Sequence, residues 1–189
     1  MQDLERNWAV AKSHPLLPAG FNTLLPGIIS GGPGGGKDGQ LNIITNPGTT
    51  PNYCAIEYNI WYYPQETLAE IKQAIEGYVL ALAEYDPWLK THPPKFTWCL
   101  RNISFPPANT NPDHPVVHHL AAALQASGGA PEIMGFNAAS DLAWYAEKGI
   151  AGVIFGPGDL AQAHSPNEHI PVSDMLHATQ AIACALLGW

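Results

Sequence analysis

A proline-rich segment, PPANTNPDHP at residues 106–115, separates two parts of the chain that have different residue patterns. Proline lacks the backbone N–H that helices and sheets use, and its ring blocks a helix interior, so no regular element is expected to cross this segment. We therefore predict a domain boundary here. The predicted domains are residues 1–110 and residues 111–189.

The first part has the pattern of an antiparallel sheet with helices on one face. Residues 53–63, YCAIEYNIWYY, alternate and are rich in aromatic and β-branched residues, which is typical of a strand. From Pro64 onward, apolar residues recur at helical spacing, which predicts a helix that ends near Asp86. The expected order also includes a helix at 2–12, a broken strand at 21–30 and a strand at 95–105. This order is most of a split βαβ sandwich, an α+β fold.

The second part alternates helices with short apolar segments. Helices are predicted at 116–126 and 173–187, and strands at 131–136 and 149–156. The second strand, GIAGVIFG, is wholly apolar, which is typical of a strand buried on both faces. The alternation predicts an α/β fold with a parallel sheet. Because two buried strands do not make an independent sheet, we expect this part to be incomplete by itself.

The charge content of the chain bears on its partners and its location. Charged residues make up only 13%, about half the roughly 25% of a typical globular domain, so part of the surface is expected to be covered by another chain or a missing segment. The net charge of -8 argues against nucleic acid or an anionic membrane as a partner. Neither a signal peptide nor a membrane span is evident, which predicts a cytoplasmic protein with its three cysteines reduced.

Two motifs resemble ligand sites, but local structure explains them better. GGPGGGKD, at 31–38, nearly matches a phosphate-binding loop, yet Asp38 stands where that loop needs a hydroxyl and no helical pattern follows. A glycine-rich hairpin or a bulged loop is the favoured interpretation. A histidine cluster lacks the glutamate of H-E-x-x-H, so exposed or helix-capping side chains are predicted for His114, His118 and His119. Solvated side chains are predicted for the helix residues Glu66, Glu70 and Glu76.

His164 stands in a loop between an apolar run and the last predicted helix. It follows GVIFGPG, and ligands of α/β folds gather beyond the carboxyl ends of such strands. Asn167 and Glu168 follow closely and are able to tie the loop to nearby backbone. Spacing alone leaves two interpretations open, a ligand and a structural hydrogen-bonding residue. Before this loop, Ser140 and Asp141 have the residue types of a helix start.

The block FGPGDLAQAHSPNEHIPVSD, at 155–174, resembles the C-terminal signature of the M20 family of metal-dependent amidohydrolases and peptidases. NAASDLAWYAEKGIAGVIFGPG and PNYCAIEYNIWYYPQETLAEIKQAIEGYV are also similar to segments of that family. The resemblance covers nearly all of the chain. It implies a partial ferredoxin-like lid or dimerisation domain, followed by the C-terminal piece of a zinc-peptidase α/β domain.

The resemblance also implies roles for individual residues. His164 matches the histidine that binds one of two zinc ions, and Ser140 and Asp141 match a loop that lines the substrate site. Zinc would polarise the amide carbonyl and lower the pKa of a bound water, and a glutamate would accept the proton of that water. That glutamate and the other ligands of the family, among them an H-x-D segment and a Glu-Glu pair, have no counterpart here. We therefore expect no catalytic residue in this chain, at most weak zinc binding, and no activity of the chain alone.

Two functions follow from the resemblance. The first is the C-terminal part of a zinc hydrolase that acts on N-acyl amino acids or small peptides, with its N-terminal catalytic half missing or supplied by another chain. The second is a non-catalytic dimerisation or assembly module of the same descent. Either function predicts a homodimer or a larger assembly through the lid domain. Trp61 stands where the family often has a carboxylate-binding arginine, which disfavours a diacid substrate.

Overall fold

The computed structural model describes residues 1–21, 23–37, 40–43, 46 and 48–188. The chain divides into two compact units, Met1–Pro107 and Ala108–Trp189. The assignment of residues 1–110 to a lid domain and of residues 111–189 to a catalytic-domain segment stays a prediction. Helices and antiparallel strands occur together, which confirms a mixed α and β fold. Each helix in the described part of the chain is too short or too polar to cross a membrane.

The first unit contains helices and antiparallel strand pairs. In chain order they are α1 (Gln2–Ala11), β1 (Leu24–Gly32), β2 (Gly34–Lys37), β3 (Gln40–Ile43), β4 (Tyr53–Ile60) and α2 (Leu68–Ala83). β1 pairs with β4, and its register shifts between Pro26 and Ile28, next to a proline that has no N–H to donate. β2 pairs with β3, which confirms the glycine-rich hairpin, although Asp38 lies outside the described residues.

The core of the first unit joins both helices to the β1–β4 pair. One buried cluster consists of Leu4 and Trp8 from α1, Leu24 from β1, and Ile71 and Ile75 from α2. Tyr58 and Ile60 of β4 pack against this cluster. Because these two residues are two positions apart, they lie on the same face of the strand. The helices therefore cover the part of this face that carries Tyr58 and Ile60.

α2 begins at Leu68, later than the predicted start at Pro64, because Thr67 is its N-cap. Thr67 Oγ1 accepts the backbone N–H of Glu70 at 3.2 Å, and the Glu70 carboxylate accepts the backbone N–H of Thr67 at 2.8 Å. This reciprocal pair is a capping box, whose T-x-x-E pattern is visible in the sequence. The hydrogen bonds from Thr67 lower the pKa of Glu70. Glu70 is exposed to solvent, as predicted, and its carboxylate also completes the N-cap of α2.

Replacing Thr67 by alanine is expected to lower the free energy of unfolding by about 1 kcal/mol, because the N-cap hydrogen bond is lost. The lowered pKa of Glu70 means that its carboxylate stabilises the fold above its unfolded pKa of about 4.3. This contribution is lost as the pH falls through the folded-state pKa, so the difference between variant and parent should shrink at acidic pH. Urea unfolding at neutral and acidic pH measures both effects. Thr50→Ala, at an exposed position outside the helices, is the control, and an equal loss in both variants would contradict the capping role.

Two further glutamates that were predicted to be solvated make contacts across the first unit. Glu66 pairs with Lys12, and its carboxylate accepts the backbone N–H of the fully buried Tyr63 at 2.8 Å. Glu76 accepts the indole N–H of Trp98 at 2.6 Å. The prediction is wrong for both because the Lys12 and Trp98 partners are distant in the sequence, and helical spacing does not reveal them.

The strand predicted at 95–105 is absent, and a short 3-10 turn occupies part of this segment. Cys99, Arg101 and Asn102 have positive φ angles of 54°, 60° and 57°, which are incompatible with a strand. Arg101 donates two hydrogen bonds to the Glu57 carboxylate on β4, at 3.0 and 3.3 Å, and this pairing raises the pKa of Arg101. Side-chain contacts with the neighbouring elements override the strand propensity of this segment.

The second unit contains three α-helices in its described residues: α3 (Pro115–Ala126), α4 (Leu142–Glu147) and α5 (Val172–Gly188). α3 and α5 contact each other, and their buried residues are mostly small: Val117 and Ala123 on α3, and Ala178 and Ala181 on α5. The helices predicted at 116–126 and 173–187 are confirmed.

The two strands predicted for the second unit, at 131–136 and 149–156, are absent from its described residues. Both segments are largely exposed to solvent. A strand exists only where a neighbour shares its backbone hydrogen bonds, and neither segment has such a neighbour in the part of the chain that is described. The predicted parallel sheet is therefore wrong for this chain by itself.

Candidate functional site

The loop that carries His164 is built from local hydrogen bonds. Gly158 opens it with a φ angle of 93°, a conformation that favours glycine. Asp159 then begins a 3-10 turn, Leu160–Gln162, by accepting the backbone N–H of Ala161 at 2.9 Å. The turn leads directly to His164, so the loop conformation is set by residues within it.

His164 adopts a left-handed backbone conformation, with a φ angle of 63°. This conformation is uncommon for residues other than glycine, although histidine adopts it more often than most. The backbone N–H of His164 donates to Glu168 Oε2 at 3.1 Å, and the backbone N–H of Glu168 donates to the Ser165 carbonyl at 3.2 Å. The Glu168 carboxylate thus holds the backbone from which the exposed His164 imidazole projects.

Two other residues of the loop, Asn167 and Ser165, differ in how their polar groups are paired. The backbone carbonyl of Asn167 lies 2.7 Å from His169 Nδ1, so Asn167 contributes through its main chain. Ser165 Oγ is buried and has no hydrogen-bond partner among the described residues. Buried hydroxyls are usually paired, so the loop leaves one polar group unsatisfied by its own residues. Sequence reasoning missed Ser165 because a loop pattern does not reveal burial.

Ser140 and Asp141 lie at the start of α4. Ser140 Oγ accepts the backbone N–H of Leu142 at 3.1 Å. Asp141 is the N-cap residue, its side chain makes no capping hydrogen bond, and it is exposed. Among the described residues, no hydrogen bond joins either of them to His164, so the structure leaves their common role a prediction.

The histidines at the start of α3 have structural contacts. His114 is the N-cap of α3, and its Nδ1 accepts a backbone N–H of the first turn at 3.2 Å. His118 Nε2 lies 3.8 Å from Asp113 Oδ1, and His119 Nε2 lies 2.7 Å from the Ala185 carbonyl on α5. His114 is a helix cap and His118 is exposed, as the sequence predicts, whereas the half-buried His119 and its contact with α5 were not predicted.

A metal site needs several ligands that converge. Within the described ranges, no three His, Cys, Asp or Glu side chains come together in this way. Zinc in proteins is held by three or four protein ligands, and the Glu168 carboxylate beside His164 is already engaged with backbone. The residues described in this chain therefore do not by themselves fit a zinc ion.

The sequence matches the model of peptidase family M20/M25/M40 over residues 22–188. The match covers most of both units, and this chain therefore belongs to the M20/M25/M40 peptidase family, a family of hydrolases. The resemblance of the His164 block to this family is thereby confirmed.

The similar proteins include two deformylases and a deacetylase. The chain is 31% identical to N-formyl-4-amino-5-aminomethyl-2-methylpyrimidine deformylase of Halalkalibacterium halodurans, over 100% of this chain and 43% of the relative. It is also 31% identical to the deformylase of the same name from Bacillus subtilis, over 99% of this chain and 43% of the relative. Acetylornithine deacetylase of Myxococcus xanthus is 38% identical over 41% of this chain and 19% of the relative. No solved structure matches significantly.

Both the covered share of the relatives and the names of the relatives are informative about this chain. The chain spans less than half the length of the curated relatives that it matches, 43% for both deformylases. All three names describe removal of an acyl group, formyl in two of them and acetyl in the third.

Proposed function

We propose that this chain is the C-terminal part of a zinc-dependent M20 amidohydrolase that removes an acyl group from an amine. One observation carries the proposal: His164 presents an exposed imidazole from a loop whose left-handed backbone is held by Glu168. Imidazole is a common ligand of catalytic zinc. Sparsely populated backbone conformations cluster at functional sites, where the surrounding structure maintains them.

The proposed substrate is an N-formyl or N-acetyl amine, within the wider class of N-acyl amino acids and small peptides. The names of the relatives support small acyl groups. Ser140 and Asp141 are proposed to contribute to the substrate site. The exposed carboxylate of Asp141 suits a cationic amino group on the substrate.

The proposed site needs ligands from beyond this chain. One imidazole does not hold zinc tightly, since catalytic sites use three protein ligands or more. We place the remaining ligands of two zinc ions, together with the general-base glutamate, in polypeptide that corresponds to the unmatched part of the relatives. The chain alone is then inactive.

The test compares the chain alone with a chimera, here called the deformylase chimera. In it, this chain replaces the matched 43% of the Halalkalibacterium halodurans deformylase. N-formyl and N-acetyl amines are supplied with zinc, and the unaltered deformylase is the positive control. We expect hydrolysis by the chimera and none by the chain alone. Stoichiometric zinc and hydrolysis in the isolated chain, or a folded chimera without activity, would contradict the proposal.

A second candidate function, a non-catalytic assembly module, is favoured by one surface of the first unit. Ile29 of β1 lies directly opposite Ile56 of β4, and the two residues are 71% and 47% exposed. β1 and β4 form a two-stranded sheet, so each has one edge without a strand neighbour in the described part of the chain. An exposed apolar pair beside open edges suits a second copy of the chain. We propose a homodimer through this surface, which is compatible with either function.

Ile29→Lys is expected to raise the dissociation constant of the homodimer by about tenfold or more. Loss of one buried isoleucine contact removes about 1.5 kcal/mol or more, and 1.4 kcal/mol is about a factor of ten. Sedimentation velocity over a concentration series measures the effect, with Val10→Lys, at a 91% exposed position on α1, as the control. A parent chain that stays monomeric at micromolar concentration would argue against the homodimer, and an equal effect of Val10→Lys would argue against this surface.

A further inference from the structure

Residues 99–102 of the first unit form a short segment whose backbone is strained. Cys99, Arg101 and Asn102 have positive φ angles of 54°, 60° and 57°. Residues with a Cβ atom rarely adopt this left-handed conformation, and asparagine tolerates it better than cysteine or arginine. Such conformations persist only where the surrounding structure maintains them. Three of them within four residues therefore require contacts that hold the segment in place.

One anchor lies directly before the segment, at Trp98. Its indole N–H donates to Glu76 Oε1 at 2.6 Å, and Lys72 Nζ lies 5.5 Å from the centre of the Trp98 ring. Both partners belong to α2, and Trp98 also packs against the buried cluster of the first unit. The start of the segment is therefore fixed to α2 and to the core.

The second anchor is Arg101, inside the segment. Its guanidinium donates to the two carboxylate oxygens of Glu57 on β4, at 3.0 and 3.3 Å. Paired hydrogen bonds of this kind between arginine and a carboxylate are strong and have a defined geometry. The Glu57 side chain is only 18% exposed, whereas that of Arg101 is 57% exposed. Solvent therefore screens the pair less than it screens an ion pair on an open surface.

The turn between the anchors opposes the local preference of the sequence. Two backbone hydrogen bonds close it, from the Asn102 N–H to the Cys99 carbonyl at 3.0 Å and from the Ile103 N–H to the Leu100 carbonyl at 3.1 Å. Residues 95–105, KFTWCLRNISF, are rich in aromatic and β-branched residues, which favour extended backbone. Local preference therefore acts against the turn, and the guanidinium–carboxylate pair acts in its favour.

We propose that residues 99–102 are a strained latch with a closed state and a released state. In the closed state, Arg101 binds Glu57 and the turn is formed. In the released state, the pair is broken, the turn opens, and the left-handed residues return to ordinary backbone angles. Because strain favours release and the ion pair favours closure, a change in either one shifts the populations of the two states.

The place of the latch in the chain determines what its release changes. The first unit ends at Pro107, shortly after the latch. Each extended residue spans at most about 3.5 Å, so release of the residues between the Trp98 and Arg101 anchors adds at most about 10 Å to the connection with the second unit. The latch thus sets the length of this connection. The inference does not depend on the metal-binding role proposed for His164.

Hydrogen exchange of this chain, resolved by residue with NMR, tests whether the latch opens by itself. The amides of Asn102 and Ile103 are protected only while the turn is closed. The Ile71 amide of α2, which donates to the Thr67 carbonyl, reports opening of the core. We expect the two latch amides to exchange at least about 100-fold faster than Ile71 after correction for intrinsic rates, because local opening needs less free energy than global unfolding. Equal protection at all three amides overturns the inference.

Glu57→Gln and Arg101→Lys test the pair that holds the latch closed. Glutamine keeps the shape of the side chain and loses its charge, and lysine keeps the charge and loses the paired hydrogen bonds. Both variants are expected to speed exchange of the Asn102 and Ile103 amides by about tenfold, because a charge-assisted contact is weakened in each. Exchange that stays at the parent rate in both variants overturns the inference.

Cys99→Gly and Cys99→Ala are a matched pair that tests the strain. Both remove the thiol, but only glycine adopts the positive φ angle of position 99 without steric cost. Exchange of the two latch amides is expected to be about threefold or more slower in Cys99→Gly than in Cys99→Ala. Equal exchange in the two variants would show that the backbone at this position does not favour release, and it overturns the inference.

Discussion

Replacement of His164 by asparagine is expected to lower kcat/KM of the deformylase chimera by at least about 100-fold, the upper range for residues that only support a metal ligand. Asparagine tolerates the left-handed backbone conformation of position 164, so the substitution removes the imidazole and keeps the loop. The backbone N–H that donates to Glu168 also remains. Initial rates with an N-formyl amine, measured with zinc in excess, give the effect.

The matched control for this prediction is His169→Asn in the same loop. His169 is exposed, and its Nδ1 contacts the Asn167 carbonyl. We expect this variant to keep its activity within a few-fold and both variants to unfold at the same urea concentration, since surface substitutions usually change stability by less than about 0.5 kcal/mol. If His164→Asn retained activity within about threefold, a difference under 1 kcal/mol, His164 would not be a metal ligand of the reaction.

Replacement of Ile71 by alanine is expected to lower the free energy of unfolding of the first unit by about 3 kcal/mol. Ile71 is only 1% exposed and lies in the cluster that joins α1, β1 and α2. Removal of its side chain loses buried apolar surface and leaves a cavity where three elements meet. Urea unfolding followed by tryptophan fluorescence, to which Trp8 of the same cluster contributes, measures the change in the free energy of unfolding.

The control for the core prediction is Ile103→Ala, which makes the same chemical change at a 62% exposed position. Its effect is expected to stay below about 0.5 kcal/mol. A comparable loss of unfolding free energy in Ile71→Ala and Ile103→Ala would show that burial in this cluster does not stabilise the first unit.

The helices of this chain were largely predictable because their signal is local. Apolar residues at helical spacing predicted α2, α3 and α5, because such residues form a stripe along one side of a helix and that side is buried. The start of α2 was placed too early because Pro64 is a helix-start signal, whereas the capping box of Thr67 and Glu70 defines the real boundary. Both the proline and the T-x-x-E pattern are in the sequence. The observed capping hydrogen bonds show that the helix begins after Thr67.

The strands were less predictable because a strand depends on its neighbours. β4 was correctly predicted from the alternation of its side chains, and it forms because β1 supplies a pairing strand. The segments at 131–136 and 149–156 have equally suitable residues, but the described part of the chain offers them no partner. The segment at 95–105 failed for another reason: the contact of Arg101 with Glu57 joins distant positions, and no local pattern predicts it.

The sequence marked the loop of the candidate site but did not predict its geometry, and the roles of its residues stay predictions. The order of glycines, His164 and Glu168 marked the loop, and the family resemblance implied the role of the histidine. The left-handed φ angle of His164 and the carboxylate that accepts its N–H emerged only from the structure. A backbone conformation of this kind depends on the whole turn, and no single residue type specifies it.

The zinc content of the deformylase chimera, with and without the His164 imidazole, shows whether His164 is a metal ligand. Dialysed samples of the parent chimera, His164→Asn and His169→Asn are compared by metal analysis. We expect about two zinc ions per chain, as in two-metal hydrolase sites, for the parent and for His169→Asn, and about one fewer for His164→Asn. Equal zinc in all three proteins would contradict the claim that this chain supplies a metal ligand through His164.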